Sequence, residues 1–187
     1  MSIAAKDIKK VVLIGPESSG KSTLCEKLAA HFNTFFVKEH ARTYLNHNGT
    51  AYSPEDLVSI AKGQLLEEKQ AIDKITLQAD SGKPRLLFLD TDLYVIKIWS
   101  ELVFNRCDVS ILNALAENNN SLYLLCEPDI PWVDDPLREY PDYSIRHLHY
   151  HHYKDAMLNQ HIPWVNINGD FDARFNKAVA AVDALFQ

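Results

Sequence analysis

The chain has 187 residues, enough for one well-buried domain and cramped for two. Its 47% hydrophobic and 24% charged content is ordinary for a soluble globular fold, and a formal charge of −6 argues against a general nucleic-acid binder, which carries a basic face. No apolar run approaches the roughly 20 residues that span a bilayer, and MSIAAKDIKK lacks the apolar centre of a secretory leader. Cys25, Cys107 and Cys126 form no CxxC pair, so neither a disulfide scaffold nor a zinc site is expected, and a cytoplasmic location fits best.

In chain order, Lys10 to Ile14 reads as a short buried strand running into a glycine-bearing loop. Lys21 to Phe32 carries apolar residues at helical spacing, and Thr34 to Val37 is a second strand. Ser53-Pro-Glu-Asp56 opens a helix: a serine cap, a proline in the first turn and acids at the positive end. That helix is expected to reach about Ala79, before the turn Ser81-Gly-Lys-Pro84. Arg85 to Leu89 is a third strand, closed by Asp90-Thr-Asp92. Leu93 to Phe104 and Ile111 to Glu117 read as helices, and Ser121 to Cys126 as a fourth strand. Glu127 to Asp142 is rich in proline, acid and aromatic residues, which predicts an ordered irregular segment. Tyr143 to Gln160 reads as a helix, Trp164 to Ile167 as a fifth strand, and Phe171 to Phe186 as a last helix capped by Asp170. Strands that are continuous apolar runs, alternating with helices, predict a parallel sheet covered on both faces. The expected fold is therefore a single three-layer α/β/α domain over residues 1–187 with a five-stranded parallel sheet.

Gly15-Pro-Glu-Ser-Ser-Gly20-Lys21-Ser22 matches G-x-x-x-x-G-K-[ST], the P-loop that cradles nucleotide phosphates. Its glycines let backbone N–H groups wrap the phosphates, and the helix that follows presents its positive end to them. Lys21 is expected to reach the β- and γ-phosphates, and the Ser22 hydroxyl to hold Mg²⁺. Gly15, Glu17, Ser18, Ser19, Gly20, Lys21, Ser22 and Thr23 are thus candidate contacts to ATP. Asp90, at the end of the third strand, stands where an acid orients magnesium or lies near the γ-phosphate. A helix cap is the competing role for Asp90, and for Asp92 the cap and catalytic roles stand level.

Ligands of doubly wound sheets bind at the carboxyl ends of strands, which points Glu39 and Arg42 at the site. Glu39 can take a proton from a substrate hydroxyl, and Arg42 can hold an anion; a surface ion pair between the two is the alternative. By analogy with small-molecule P-loop kinases, the segment after the fourth strand, residues 128–160, is expected to be a lid that closes over the phosphates. Arg138 and Arg146 are its cations, and an exposed hairpin with paired arginines is the alternative. His147-Leu-His-Tyr-His-His152 puts only His147 and His151 on one helical face, with no glutamate between them, so a solvated helix of the lid is expected there rather than a metal site. Gly169, after the fifth strand, is a candidate for close backbone approach to adenine by analogy with other P-loop kinases; a plain turn is the alternative.

Together GPESSGKST at 15–23, the Phe-Asn-Thr step with Glu39 and Arg42 behind it, FLDTD at 88–92, WVDDxLR at 132–138 and a last helix bearing Arg174 resemble the ribosylnicotinamide kinase domain of NadR-type proteins. The resemblance covers most of the chain. It implies transfer of the γ-phosphoryl group of ATP to the 5′-hydroxyl of nicotinamide riboside, with Lys21, Asp90, Glu39, Arg42 and Arg138 as catalytic residues. Against the family pattern, position 136 is Pro rather than Gly, and position 38 is Lys rather than an aromatic residue. Lys38 is expected to face solvent. Tyr94, preferred over Trp99, is expected to supply the stacking face for the acceptor ring, and Asp92 to stand beside it. No HxGH signature occurs, so no adenylyl transfer is expected. Kinase activity on another nucleoside and a non-enzymatic ATP-binding switch remain as competing readings.

Overall fold

The computed structural model describes residues 8–77 and 85–187. Five strands, β1 (Lys9–Ile14), β2 (Phe35–Val37), β3 (Leu86–Asp90), β4 (Leu122–Cys126) and β5 (Trp164–Ile167), form one sheet in the order β2-β3-β1-β4-β5. Every neighbouring pair is parallel, and Leu13 lies opposite Asp90 across the β1–β3 ladder. The sheet therefore grows first to one side of β1 and then to the other, which opens a crevice at the carboxyl ends of the strands.

Side chains along a strand point alternately to the two faces, so the apolar runs feed two cores. Val12, Ile14, Leu87, Leu89, Tyr123 and Leu125 pack on one face against the helices α3 (Pro54–Leu77), α4 (Leu93–Phe104) and α6 (Tyr143–Leu158). Val11, Leu13, Phe88, Leu122 and Leu124 pack on the other against α1 (Lys21–His31) and α7 (Phe171–Asp183). That is the expected three-layer parallel architecture. A third cluster joins Ala41, Leu57, Ile60, Leu93, Ile96 and Ile111, and it holds α2 (His40–Asn48) and α5 (Val109–Ala116) against α3 and α4. The expected helix end near Ala79 and the turn at 81–84 lie outside the described residues.

Helix α2 has no counterpart in the sequence reading. Only Ala41 and Leu45 are buried along it, and its N-cap Glu39 makes no side-chain cap bond. The missing cap comes from a distant part of the chain: the His40 N–H donates to Gln64 Oε1 of α3 at 2.8 Å. Close approach is possible because α3 carries Gly63 there; a β-carbon would collide with the His40 ring. Much of the segment expected as a lid, 128–160, is helix α6. Helix α6 buries Tyr150, Tyr153 and Met157 in the core, and 127–142 before it lies outside regular structure, while His147, His151 and His152 are the exposed face of an anchored helix. Among the described residues no cluster of three metal-ligating side chains occurs, and no helix is long and apolar enough to cross a membrane.

Candidate active site

β1 delivers the chain into the P-loop under tight steric control. Gly15 has φ 139°, and a β-carbon there would collide with the carbonyl of Cys126 at the end of β4. Gly20 has φ 78° and hands the chain to α1, and between them Ser18 adopts φ 51°. Three such left-handed turns in six residues are what curl the amides inward. Ser18, Ser19, Gly20, Lys21, Ser22 and Thr23 line one space of about 400 Å³ together with Glu39, Arg42 and Arg138. Lys21 Nζ donates to the carbonyls of Gly15 at 2.9 Å and Pro16 at 2.8 Å, which holds the ammonium over the loop.

Asp90 ends β3 beside this loop, buried by protein. Burial pushes its carboxyl above the ordinary carboxylate range, opposed by the Lys21 charge and by a hydrogen bond from Ser22. Its Oδ1 has no hydrogen-bond partner among the described residues. A desolvated oxygen left unpaired costs about 1–3 kcal/mol, so the geometry calls for a cation or donor there. A carboxylate and a hydroxyl are the hard oxygen ligands Mg²⁺ takes when phosphates complete its shell, and the residues present fit that ion. The turn just after Asp90 is strained: Thr91 is β-branched yet sits at φ 77°.

A second cavity of about 840 Å³, including solvent at its mouth, opens on the other side of Glu39, Arg42 and Arg138. Its walls are Ala41 and Leu45 of α2, Val95, Trp99, Leu102 and Val103 of α4, His149 and Tyr153 of α6, and Leu137 to Tyr140. Burial raises the Glu39 carboxyl, with the Lys21 charge opposing. Arg42 does not pair with Glu39; its Nη1 bonds Asp135 Oδ2 at 2.8 Å, which ties α2 to the segment 127–142.

That segment lies over the P-loop. Ser18 Oγ accepts from the Val133 N–H at 3.1 Å and lies 3.4 Å from Arg138 Nη1, which also bonds the Val133 carbonyl. Glu17 Oε2 accepts the N–H groups of Glu139 at 2.9 Å and Tyr140 at 3.1 Å. Glu17, expected as a nucleotide contact, thus engages the segment above the loop and lines the second cavity. Trp132 is flanked by two cations, Arg138 at 5.7 Å and Arg146 at 5.3 Å from its ring. Arg146 is 4% exposed, yet its Nε and Nη1 have no hydrogen-bond partner among the described residues.

Asp92 and Gly169 take the alternative roles, cap and turn, and Tyr94 is placed differently. Asp92 turns into the protein as the N-cap of α4, accepting from Tyr94 N at 2.9 Å, Tyr123 Oη at 2.6 Å and Asn120 Nδ2 at 3.1 Å. It lines neither cavity, and burial pushes its carboxyl up to about 6. Tyr94 packs edge-on to Tyr123 at 5.7 Å and faces a groove between α4 and α6, away from Glu39. Trp99, on the same helix but rotated by five residues, lines the second cavity, with its Nε1–H held by Tyr52 Oη at 2.9 Å. Gly169 adopts φ 94° in a turn whose N–H goes to Asp129 Oδ2 at 2.7 Å and whose carbonyl accepts from Arg174, and it lies outside the phosphate space. Lys38 is exposed, as expected.

Sequence reading missed the α6 contribution of His149 and Tyr153, and the role of Arg174 as a bracket. The buried Arg174 guanidinium holds the carbonyls of Ser19 at 2.9 Å, Glu127 at 2.7 Å and Gly169 at 2.8 Å, and pairs with Asp129. It locks the P-loop to the ends of β4 and β5.

The chain is similar to known proteins. The trifunctional NAD biosynthesis/regulator protein NadR of Escherichia coli (strain K12) is 31% identical over 181 residues, and that of Salmonella typhimurium 29% over 182. Each alignment takes in 94% of this chain, which spans 42% of the length of either relative. Among solved structures, a NadR protein in complex with NAD and AMP-PNP superposes with a TM-score of 0.75 at 21% identity, over 97% of this chain and 50% of that one. A deoxyadenosine kinase from M. mycoides superposes at 0.63 with 12% identity, over 94% of this chain and all of that one. The fold is that of the P-loop kinases. The family described as an AAA domain matches residues 10–174, and the chain belongs to that family.

Proposed function

We propose that this protein is an ATP- and magnesium-dependent kinase that phosphorylates the 5′-hydroxyl of nicotinamide riboside, giving nicotinamide mononucleotide. One observation carries the reading: a P-loop space and a separate cavity meet at Glu39, Arg42 and Arg138. A donor phosphate in the first and a nucleoside in the second bring their reacting ends to those three side chains. A bare ATP-binding switch needs only the first space. Support for the acceptor comes from relatives: NadR proteins match over most of the chain, and a NadR structure in complex with NR superposes with a TM-score of 0.71.

The residues divide the work by position. Lys21 and the loop amides hold the β- and γ-phosphates, and Ser22 with Asp90 would hold Mg²⁺, which neutralises phosphate charge when bound. Glu39, its carboxyl raised by burial, takes the proton from the 5′-oxygen as that oxygen bonds to the γ-phosphorus and the bond to the ADP oxygen breaks. Arg42 and Arg138 offset the charge on the moving phosphoryl group, and Arg146 adds a buried cation above the loop. Trp99 offers the ring of a cationic pyridinium an aromatic face. Asp92 and Tyr94 act indirectly, by fixing the start of α4. Gly169 shapes the turn beside the loop rather than touching nucleotide. The three free cysteines suit a cytoplasmic setting.

The test is an ATP-consumption screen across nicotinamide riboside and the common nucleosides, with mass detection of product. A 5′-monophosphate of nicotinamide riboside, with adenosine and cytidine poor acceptors, is the expected result. Preference for a neutral nucleoside keeps the kinase and removes the NAD-pathway assignment. ATP binding with no acceptor phosphorylated overturns the enzymatic reading.

A further inference from the structure

The acceptor cavity has a charge pattern beyond what phosphoryl transfer requires. Its walls hold three carboxylates, Glu17, Glu39 and Glu139, and two guanidiniums. Both guanidiniums are committed at the phosphate end, Arg42 to Asp135 and Arg138 to Ser18 and the Val133 carbonyl. The remaining walls, among which the acceptor's ring must lie once its 5′-oxygen faces Glu39, include Val95, Trp99, Leu102, Val103, Tyr153 and His149. Among the described residues no lysine or arginine besides Arg42 and Arg138 lines the cavity.

His149 is the side chain among these walls able both to donate and to accept through one planar ring. It is half-buried, and its ring meets Tyr140 edge-on with centroids 4.6 Å apart. No described residue hydrogen-bonds its nitrogens. Tyr153, one turn along α6, lines the same cavity. Resting on the acceptor reading above, we propose that His149 reads the ring substituent of the acceptor, and that the cavity takes the carboxamide form of an N-ribosylated pyridinium in preference to its carboxylate form.

The physical argument is one of matching. A neutral imidazole offers one donor and one acceptor, which is what a carboxamide presents in return. Burial and the neighbouring His152 push the His149 imidazole below its ordinary value, which favours the neutral ring. A carboxylate on the ring would enter a space already holding three acids, with both lining cations engaged elsewhere, and like charges disfavour entry. Discrimination then comes from the missing cation as much as from the hydrogen bonds.

The experiment compares kcat/KM for nicotinamide riboside and nicotinic acid riboside in the wild type, His149→Phe, His149→Gln and His149→Lys, with thermal midpoints to confirm folding. The wild type should favour the amide by at least about tenfold. His149→Phe should raise the acceptor KM for the amide by about tenfold, well above its effect on the KM for ATP, with His149→Gln recovering part of that loss. His149→Lys should shift the preference toward the acid form by about tenfold or more, because an ammonium supplies the absent counter-charge. Equal use of both ribosides by the wild type, or a preference unmoved by both Phe and Lys, overturns the inference while leaving a riboside kinase standing. No phosphorylation of either riboside overturns the reading on which it rests.

Discussion

The two halves of the site are built by opposite means. The phosphate space is made mostly by one run of backbone, Gly15 to Thr23, bent by glycines and locked from behind by Arg174. The second cavity, the proposed acceptor site, is a mosaic of side chains from α2, α4, α6 and the segment 127–142. Phosphate chemistry is the same for every substrate, so a loop of amides suffices. Acceptor recognition has to differ between kinases, and it falls to side chains that can be exchanged singly without disturbing the loop. Substitutions should therefore separate: those in the first half strike turnover, and those in the second strike acceptor affinity.

The sharpest test of that division lies in the first half. Lys21→Ala and Asp90→Asn should each lower kcat by about 10²–10³-fold, the scale of removing one preorganised charge from a transition state. Both proteins should keep their far-ultraviolet circular dichroism, because Ala is a good helix former and Asn keeps the shape of Asp. Retention of most of the wild-type kcat by Lys21→Ala would remove the P-loop from the chemistry. Asp90→Asn active to within about twofold at saturating Mg²⁺ would leave the unpaired Oδ1 without a task.

Arg138 belongs to both halves, and Arg138→Ala tests whether the segment 127–142 acts on the phosphoryl group. A loss in kcat on the order of 10²-fold, larger than the change in ATP affinity, is expected of a cation that meets charge developing in transfer. A rise in the KM for ATP with kcat untouched would make it a binding residue only.

In the second half, Trp99→Ala should raise the KM for nicotinamide riboside by about tenfold and the KM for ATP much less. An aromatic face on a desolvated cation is worth up to about 2 kcal/mol. Tyr94→Ala is the control on the same helix, and its acceptor KM should move by less than about twofold. Exchanged outcomes for the two would mean that the groove between α4 and α6, not the cavity at Glu39, takes the acceptor.

The same contrast explains what the sequence shows. A loop that works through contiguous backbone leaves a contiguous motif, so the P-loop, the strand before it and the helix after it are all visible in GPESSGKST. The parallel sheet is visible too, because strands covered on both faces are apolar throughout. Helix α2 is not visible, because its cap comes from Gln64 and its room from Gly63, both on another helix. Tyr94 and Trp99 are both aromatic and both follow FLDTD. Only the rotation of α4 against α6 decides which of them faces the cavity, and no local pattern encodes that rotation. Asp90 and Asp92 present the same problem at closer range. They are two residues apart, but the left-handed turn at Thr91 sends one to the P-loop and the other into the core.

That last pair gives the smallest effect and the most discriminating one. Asp92 accepts three hydrogen bonds and cannot donate when ionised. An asparagine that keeps its oxygen toward Tyr94 N would set its amide N–H₂ against both the Asn120 amide and the Tyr123 hydroxyl, which donate to the same Oδ2. Asp92→Asn should therefore cost on the order of 1 kcal/mol at pH 7, measured by urea unfolding, with kcat within about twofold of the wild type. The pH dependence carries the sign. The folded carboxyl titrates near 6, above its unfolded value of about 3.9, so the stability from its bound proton is complete below about pH 4. That stability is lost as pH rises through about 6. The substituted amide cannot ionise, so the fall in stability between about pH 4 and 6 should be shallower in the variant. A variant with the wild-type slope would mean that Asp92 does not hold its proton in the fold. One that loses about 10²-fold in kcat while remaining folded, the scale of a lost preorganised group, would return Asp92 to the acceptor site.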